Sequence, residues 1–576
     1  MVLPSVKRAT RALAGWFGRL TLEAAPRPYR AVRAEIWFLA SICVLALGLR
    51  VLGLRLGLPY LHHWDERYIV DSARSMIEQD NAVPLRFVYG APLMRLTAWS
   101  FRVAEALGLE LAQRSDFEVA LRWTGRSVAV LIASSGAPAV YLATRMAARS
   151  GVAALFAALC FACAAELVWH SRYLVTDASV VALTAWTVAL SAAYLEKRTI
   201  LLGALAVVAA GLTSSFKLTG LAVLGLPVAA LLLRRPYSFF RPEAERAEHE
   251  PRWLELSHRL LLAGAVPIGV AIFAAQNPYL ISEWKRSLPD LARIMQVYRE
   301  GHVKPVTYRE ADLEHLGSAL WFLGAQAFST NAVASLAVAA VSVVGLGVGL
   351  RRAEPIVVLA VLHAALIVLG MALPNRAFLT RMYLPALVAL CVGFGIAIDW
   401  GLGLASRWPK ARPAVVAGGL AVALVVPALY VSARCQALAD DTRVRAVDFV
   451  ANVAQGSKRT LSVAFTPTVA RRGPAWGVGH DVERYLVRSG IQRAETVADA
   501  RAAEQSGADY VIVASYRDDR KISPVTILPW DDDYPFERVP GYVEIARFEP
   551  NPYEERFDIL PTWYGRVTSL VLERKR

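Results

Sequence analysis

Two adjacent carboxylates, Asp65 and Glu66, lie within residues 62–68, directly after the first long apolar run of the chain. Charged groups at a membrane boundary are costly unless they have partners or a function. A carboxylate in such a place can serve as a general base that removes a proton from an incoming hydroxyl. The pair could also be an ordinary solvated loop, but the flanking aromatic residues, Trp64 and Tyr68, favour a site.

A second polar cluster occupies residues 169–177, between two apolar runs that leave almost no room for a loop. Arg172 and Tyr173 are suited to bind a phosphate or a sugar, because a guanidinium group matches phosphate oxygens bidentately. His170 precedes them in the same segment. Asp177 stands where the next helix should begin, so its carboxylate is either a helix N-cap or an acidic group of a pocket.

Two cations occur in comparable turns. Lys217 falls between two apolar runs, where its ammonium group either extends to the membrane surface or holds an anionic head group. Arg381, closely followed by Tyr383, is a second candidate for binding an anion. Such a boundary would suit a donor with an apolar tail and a phosphate. The cations would hold the phosphate while a carboxylate deprotonates the acceptor hydroxyl.

The elements that position these residues are transmembrane helices. The chain has 576 residues, of which 56% are hydrophobic and only 19% are charged, which is too apolar for a soluble protein of this length. Repeated apolar runs of about 20 residues predict a mainly α, polytopic membrane protein of about eleven transmembrane helices. The runs lie near residues 36–55, 120–144, 152–167, 178–195, 199–215, 218–233, 259–276, 330–350, 355–373, 382–404 and 413–433.

The basic residues predict how these helices are oriented. Short connections between the runs are rich in Arg and Lys, and they fall on the side of the basic N-terminal tail, residues 1–35, if the spans alternate. The positive-inside rule therefore places the N-terminus in the cytoplasm, and the candidate residues, loops 56–119 and 277–329 and the C-terminus outside. The same distribution accounts for the net charge of +15, so nucleic-acid binding is not expected.

Beyond the predicted transmembrane domain, residues 36–433, the chain changes character. Residues 434–576 predict a small extracytoplasmic α/β domain. Its strand-like and helix-like runs are residues 460–465, 481–488, 497–505, 509–514 and 567–572. The five cysteines of the chain are scattered, so neither a disulfide framework nor a metal knuckle is expected.

The order of these pieces resembles the GT-C superfamily of polyprenyl-phosphate-sugar-dependent glycosyltransferases. The resemblance is to its dolichyl-phosphate-mannose–protein mannosyltransferase branch, which includes the bacterial lipid A aminoarabinose transferases. It covers residues from about 36 to 400 and rests on Asp65 with Glu66, residues 170–177, residues 215–217 and residues 381–385. The C-terminal domain is similar only in its placement.

This resemblance implies an inverting transfer of a single sugar from a polyprenyl phosphate to an acceptor outside the cytoplasm, at a bacterial inner membrane. The acceptor would be a protein, a lipid or a glycan. Asp65 would be the catalytic base, Glu66 would position the donor or the acceptor, and Asp177 would be a second acidic group of the pocket. The donor phosphate would be bound by Lys217, Arg381 and Arg172, with further substrate contacts from Trp64, His170, Tyr173 and Tyr383.

The resemblance also implies that no cofactor is needed. Members of this branch are regarded as acting without a metal, and we predict none here, although His62, His63 and Asp65 leave room for a divalent cation.

Three alternatives stay open. A transferase with a diphosphate-linked oligosaccharide donor would show metal-dependent activity. A transporter is disfavoured, because no repeat relates the two halves of the sequence and no charged group lies deep within a predicted span. A structural membrane subunit whose outer domain binds partners would be insensitive to changes at Asp65. The sequence identifies neither the sugar nor the acceptor.

Overall fold

The computed structural model of the protein divides into two compact units. The first is built mostly from residues before 432. The second contains residues from 432 onward and, among the described residues before them, the first turn of a helix at residues 64–67. The described residues are 29–52, 54, 64–80, 83–85, 87, 89–109, 117–148, 150–233, 252–300, 311–329, 331–422, 442–456, 461–465, 486–487, 490–497, 500–516, 539–548 and 567–575.

The part of the chain before residue 432 is predominantly helical, as the apolar runs predict. Its α-helices are α1 (Tyr29–Val51), α2 (Trp64–Glu78), α3 (Ala91–Ala106), α4 (Phe117–Ser134), α5 (Gly136–Ala147), α6 (Gly151–Cys163), α7 (Ala165–Ser171), α8 (Asp177–Lys197), α9 (Ile200–Phe216), α10 (Gly225–Leu233), α11 (Arg252–Gln276), α12 (Tyr279–Ser282), α13 (Trp284–Glu300), α14 (Leu313–Ala325), α15 (Ala332–Arg351), α16 (Pro355–Ala372), α17 (Leu387–Ala405) and α18 (Arg412–Leu420). Short 3-10 helices lie at Leu218–Leu224, Thr380–Met382, Leu384–Ala386 and Pro409–Ala411.

Seven helical segments of the described residues are long and apolar enough to cross a membrane. The bent pair α6 and α7 would be an eighth, and α9 and Leu218–Leu233 are shorter apolar helices. The polytopic, mainly α architecture predicted from the sequence is therefore confirmed. The count of about eleven spans stays a prediction, because the last predicted run, 413–433, extends past the described residues after residue 422.

Small residues bring α15 and α17 into close contact. A Cβ atom added to Gly345 would overlap the carbonyl oxygen of Gly393, and one added to Gly393 would overlap the carbonyl oxygen of Ser342. Lipid tails are as apolar as the helices, so helix association in a membrane depends on such close packing rather than on the hydrophobic effect.

One membrane helix is interrupted just before the second polar cluster. α6 and α7 meet at Ala164 with a bend of 52°. The amides of Ala165 and Glu166, which lack helical partners at the break, donate to the carbonyl oxygens of Phe328 and Ala327 at 3.2 and 3.1 Å. Backbone groups that a helix break leaves without partners in a buried region are satisfied by other protein groups in this way.

A second interruption lies at Lys217. α9 ends at Phe216, and Lys217 adopts an extended backbone (φ −158°, ψ 138°) before the next 3-10 helix begins. The Lys217 carbonyl oxygen accepts from the Gly220 amide at 2.8 Å, and the Ser214 hydroxyl donates to the Gly220 carbonyl at 3.0 Å. The chain thus turns sharply at Lys217 and resumes a helical path, which directs the side chain away from the helix axis.

The predicted outer loops contain helices. Residues 56–119 contain α2 and α3, and residues 277–329 contain α12, α13 and α14. Ile69 of α2, Leu93 of α3 and Leu121 of α4 share one buried apolar cluster. Within the first unit, the cluster joins residues 68–78 of α2 and the helix α3 to the membrane-spanning α4.

The second unit contains a five-stranded mixed sheet. Its elements are α19 (Thr442–Gly456), β1 (Leu461–Phe465), β2 (Ile491–Thr496), α20 (Ala500–Ser506), β3 (Tyr510–Tyr516), β4 (Tyr542–Phe548) and β5 (Val567–Arg574), with strand order β2-β1-β3-β5-β4. β1 pairs in parallel with β2 and β3, and β5 pairs antiparallel with β3 and β4. Val450 of α19 packs with Ile512 and Val571, whereas Ala503 of α20 packs with Val511 on the opposite face, as the two-residue period of a strand requires.

The sequence predicts the central strands of this sheet better than its edges. β1, β3, β5 and α20 coincide with predicted runs, whereas β2 and β4 are not predicted. Both are edge strands, and edge strands carry polar and charged residues that remove the alternating pattern on which a prediction depends. The predicted helix at residues 481–488 lies outside the described residues except for 486–487, which are helical.

Replacing Gly345 with alanine should weaken the packing of α15 on α17, because the added methyl group overlaps the Gly393 carbonyl. We expect a loss of about 1–3 kcal/mol in the free energy of unfolding, the usual cost of overpacking. Gly347→Ala is the matched control on the same helix, since nothing lies within 4 Å of its Cβ position. Thermal unfolding of both variants in detergent makes the comparison, and equal stabilities would contradict the close approach.

Candidate active site

A buried ion pair lies where two of the polar clusters meet. Lys217 Nζ donates to Asp177 Oδ1 at 2.6 Å, and the two side chains are 8% and 1% exposed. Asp177 is the first residue of α8, where the helix dipole favours a negative charge, and Lys217 occupies the break after α9. Each charge therefore offsets part of the cost of burying the other.

Asp177 has further ionisable neighbours. Arg381 and His170 both lie close enough to act electrostatically on its carboxylate. Its second oxygen, Oδ2, is buried and has no hydrogen-bond partner within the described part of the chain. We refer to Asp177, Lys217, Arg381 and His170 as the Asp177 cluster. It combines cationic side chains with a carboxylate oxygen that can still accept a hydrogen bond.

His170 of this cluster also contacts a carboxylate that sequence reasoning missed. Its Nε2 lies 3.4 Å from Oε2 of Glu166, one turn earlier on α7. His170 Nδ1 is buried and has no hydrogen-bond partner among the residues that the structure describes. The signal in the sequence was the four-residue spacing, which places Glu166 and His170 on one helix face.

Arg172 and Tyr173 lie beside this cluster in the chain, but their visible contacts are with the protein itself. Arg172 is buried and donates from Nη2 to the Leu49 carbonyl oxygen at 3.0 Å, near the end of α1. The Tyr173 ring meets the Trp169 ring edge to face at 5.3 Å between centroids, and the Arg126 guanidinium lies 5.7 Å from the Tyr173 ring centroid. Phosphate binding by Arg172 stays a prediction.

Arg381 lies on a 3-10 turn that a buried histidine anchors. Tyr383, two residues further on, shares a hydrogen bond of 2.6 Å between its hydroxyl and His315 Nε2. His315 Nδ1 lies 2.7 Å from the Asn375 carbonyl oxygen, so Nδ1 carries the hydrogen and Nε2 accepts from the tyrosine. Phe378 stacks on the Tyr383 ring at 5.8 Å. His315 was not a sequence candidate, because a lone histidine in an apolar helix shows no pattern.

Asp65 and Glu66 form the first turn of α2. They are 9% and 0% exposed, so they are buried carboxylates rather than a solvated loop. A helix N-terminus stabilises negative charge, which helps to explain how both are accommodated there. They belong to residues 64–67, which group with the second unit, whereas the Asp177 cluster belongs to the first. Trp64 begins the same helix.

Histidines and carboxylates are the side chains of this region that could hold a metal, and some of them are among the described residues. Within them, no three His, Cys, Asp or Glu side chains come together as a metal site requires. His62 and His63, which the sequence left as partners of Asp65 for a divalent cation, lie outside the described residues.

Comparison with known families supports the resemblance predicted from the sequence. Residues 40–276 match the family model described as dolichyl-phosphate-mannose-protein mannosyltransferase. This match includes Asp65, Glu66, Asp177 and Lys217 and ends before Arg381. A search of curated proteins by sequence finds no match.

Solved structures of similar fold include two glycosyltransferases. ArnT from Cupriavidus metallidurans, bound to undecaprenyl phosphate, is 14% identical, with 93% of this chain and 97% of that chain covered and a TM-score of 0.48. The archaeal oligosaccharyltransferase AglB from Archaeoglobus fulgidus, in complex with an inhibitory peptide and a dolichol-phosphate, is 12% identical over 84% and 70% of the two chains, with a TM-score of 0.50. At sequence identities this low, the similarity shows the fold alone. The fold is of the GT-C type, and the chain resembles its mannosyltransferase branch.

Removing the positive charge of Lys217 should destabilise the protein, because Asp177 would keep a buried charge without its partner. We expect Lys217→Met to lower the free energy of unfolding by about 3–5 kcal/mol, and the double variant Lys217→Met/Asp177→Asn to regain most of it. Arg493→Met, which breaks an exposed pair with Glu495, should cost at most about 1 kcal/mol. Thermal unfolding of the variants checks this, and a double variant no more stable than Lys217→Met alone would contradict it.

Proposed function

We propose that this protein transfers a single sugar from a polyprenyl phosphate to a hydroxyl-bearing acceptor, with inversion at the sugar's anomeric carbon. The observation that carries the proposal is the Asp177 cluster, in which Lys217 and Arg381 lie beside one buried carboxylate at a break in a membrane helix. A lipid-linked phosphate would bring its apolar tail to the membrane and its anionic group to these cations. The match to a mannosyltransferase family over residues 40–276 supports the same class of donor.

The donor phosphate is the part of the substrate that the Asp177 cluster suits best. Asp177 holds Lys217 Nζ in place at 2.6 Å. The ammonium group is therefore preorganised and would not need to move when a phosphate oxygen approaches. Arg381 would contribute a planar donor pair to the same group. Both cations would stabilise the charge that develops on the phosphate as the bond to the sugar breaks. Asp177 Oδ2, which lacks a protein partner among the described residues, would accept a hydrogen bond from a sugar hydroxyl.

Asp65 is the residue to which we assign the base. Its carboxylate would take the proton of the acceptor hydroxyl while that oxygen forms a bond to the anomeric carbon. The bond from the anomeric carbon to the phosphate oxygen breaks on the opposite face, and the electron pair leaves with the polyprenyl phosphate, so the configuration inverts. Asp65 is left protonated and releases its proton to solvent. Glu66, fully buried in the same helical turn, would position donor or acceptor.

The remaining candidates would shape the pocket around the sugar. The Tyr383 hydroxyl is hydrogen-bonded to His315, and one nitrogen of Arg172 donates to the Leu49 carbonyl oxygen. Tyr383 would therefore contact the substrate with its ring, and Arg172 with its other nitrogens. His170 offers a buried Nδ1, and Trp64 and Tyr173 offer aromatic rings. We place the reaction at the outer face of a bacterial inner membrane, as the family resemblance implies. The N-terminus would lie in the cytoplasm and residues 434–576 outside, because basic residues concentrate in the connections assigned to the inside.

Loss of the Asp65 carboxylate should remove the general base. We expect Asp65→Asn to lower kcat by about 100- to 10,000-fold with little change in the KM for the donor, because a base acts on the acceptor hydroxyl in the transition state. Purified protein with labelled polyprenyl-phosphate sugars and cell-envelope extract as acceptor source provides the measurement, and polyprenyl-diphosphate oligosaccharides with and without Mn²⁺ test the alternative donor.

Asp80→Asn is the matched control for this substitution. Asp80 follows the other end of α2 and is highly exposed, so its change should leave both constants unaltered. Undiminished turnover in Asp65→Asn would remove Asp65 from the role of base. Consumption of only the diphosphate-linked donor would favour the oligosaccharide transferase instead.

Neutralising Lys217 should weaken donor binding. We expect Lys217→Met to raise the Kd for a polyprenyl phosphate by about 10- to 100-fold, the equivalent of one charge-assisted hydrogen bond. Lys410→Met, which changes an exposed lysine, serves as the control. Binding is measured by titration in detergent at a temperature where both variants are folded, and an unaltered Kd in Lys217→Met would exclude Lys217 from the phosphate site.

A further inference from the structure

A fully buried asparagine, Asn277, stands at the end of α11 and uses both ends of its side-chain amide. Its Oδ1 accepts from the Ala91 amide at 2.8 Å and from the Tyr279 hydroxyl at 3.0 Å. Its Nδ2 donates to the carbonyl oxygens of Ser215, at 3.3 Å, and Phe273, at 2.9 Å. One side chain therefore joins three parts of the chain that are distant in sequence.

The first of these links fastens α3 to α11 in both directions. Ala91 is the first residue of α3, so Asn277 Oδ1 satisfies an amide that has no partner within its own helix. In return, Arg95 of α3 donates from Nη1 to the Gln276 carbonyl oxygen at 3.1 Å, at the last residue of α11. The start of one helix and the end of the other are thus capped by each other's side chains.

The second link reaches the backbone that leads into Lys217. The Ser215 carbonyl oxygen accepts from Asn277 Nδ2, and the Phe216 carbonyl oxygen accepts from the Gly90 amide at 3.2 Å. These carbonyls belong to the end of α9, where the helix leaves its last acceptors without amide donors. Gly90 approaches so closely that a Cβ atom there would overlap the Ser215 carbonyl oxygen.

We infer that Asn277 is a positioning residue for Lys217, an inference that rests on the proposed function for its catalytic meaning. The two residues before Lys217 are held by Asn277 and by Gly90, and Asn277 also holds the helix that follows Gly90. The extended backbone at Lys217 then directs Nζ to Asp177. Without Asn277 the end of α9 would shift, and the lysine would lose the position in which it meets a phosphate.

The experiment compares Asn277→Ala with Asn331→Ala in the full-length protein in detergent. Asn331 caps α15 by accepting from the Ala334 amide at 3.0 Å, so its change removes a helix cap of the same chemistry elsewhere. We expect Asn277→Ala to raise the donor KM about tenfold, as small misplacements of substrate-binding groups do. We also expect acylation of the Lys217 amine, quantified by mass spectrometry, to rise several-fold. Asn331→Ala should change neither quantity.

A double variant separates positioning from general destabilisation. Asn277→Ala added to Lys217→Met should cause no further rise in the donor KM, because the residue that it positions is already absent. Asn331→Ala, which leaves the donor KM unchanged by itself, should leave it unchanged in the Lys217→Met background as well. The inference is overturned if Lys217 acylation and the donor KM stay at wild-type values in Asn277→Ala, or if the effects of Asn277→Ala and Lys217→Met on the donor KM multiply.

Two further measurements cover a variant that does not fold and a protein that does not use the proposed donor. If Asn277→Ala does not fold, Gly90→Ala displaces the same carbonyl, and Gly317→Ala, with nothing within 4 Å of its Cβ position, is its control. If the wild-type protein consumes no polyprenyl-phosphate sugar, the proposed function fails, yet Lys217 acylation still reports whether Asn277 holds the lysine against Asp177.

Discussion

Polar groups in a membrane have no water to bond with, and this constraint governs the structure around the candidate site. A helix that stops within the membrane leaves amides and carbonyls that only protein groups can satisfy. In this chain two apolar helices end among buried residues, at Ala164 and at Lys217. Lys217, at the second of these ends, pairs with the buried carboxylate of Asp177. The helix breaks and the buried charges depend on each other. A continuous helix would leave no backbone groups without partners, and it would not place its lysine in the interior.

The groups that hydrogen-bond to the backbone at the two breaks belong to segments 56–119 and 277–329, which the sequence predicts as loops between spans. Ala327 and Phe328 accept from the amides after Ala164, and Gly90 and Asn277 donate to the carbonyls before Lys217. The outer segments therefore complete the membrane helices as well as covering them. A shift of these outer segments would therefore also shift the charged groups next to the breaks.

Much of this arrangement follows from local sequence. Apolar runs predict the helices that are long and apolar enough to span a membrane. A carboxylate or a lysine at the edge of an apolar run identifies Asp65, Asp177, Lys217 and Arg381 as candidates, because a charge there is costly without a purpose. His315 and Asn277 show no such signal. Each is a polar residue whose importance comes from partners far away in the chain.

The sequence by itself therefore determined the class of the protein, the approximate positions of its helices and the residue types available for chemistry. Hydrophobicity, spacing and charge are local properties, and they can be read one segment at a time. Only the tertiary structure decided that Lys217 pairs with Asp177, 40 residues away, and that Arg381 lies near the same carboxylate. It also decided that Arg172 bonds to a main-chain carbonyl. Such choices depend on which distant groups reach hydrogen-bonding distance once the helices pack, and that geometry is absent from the local pattern of residues.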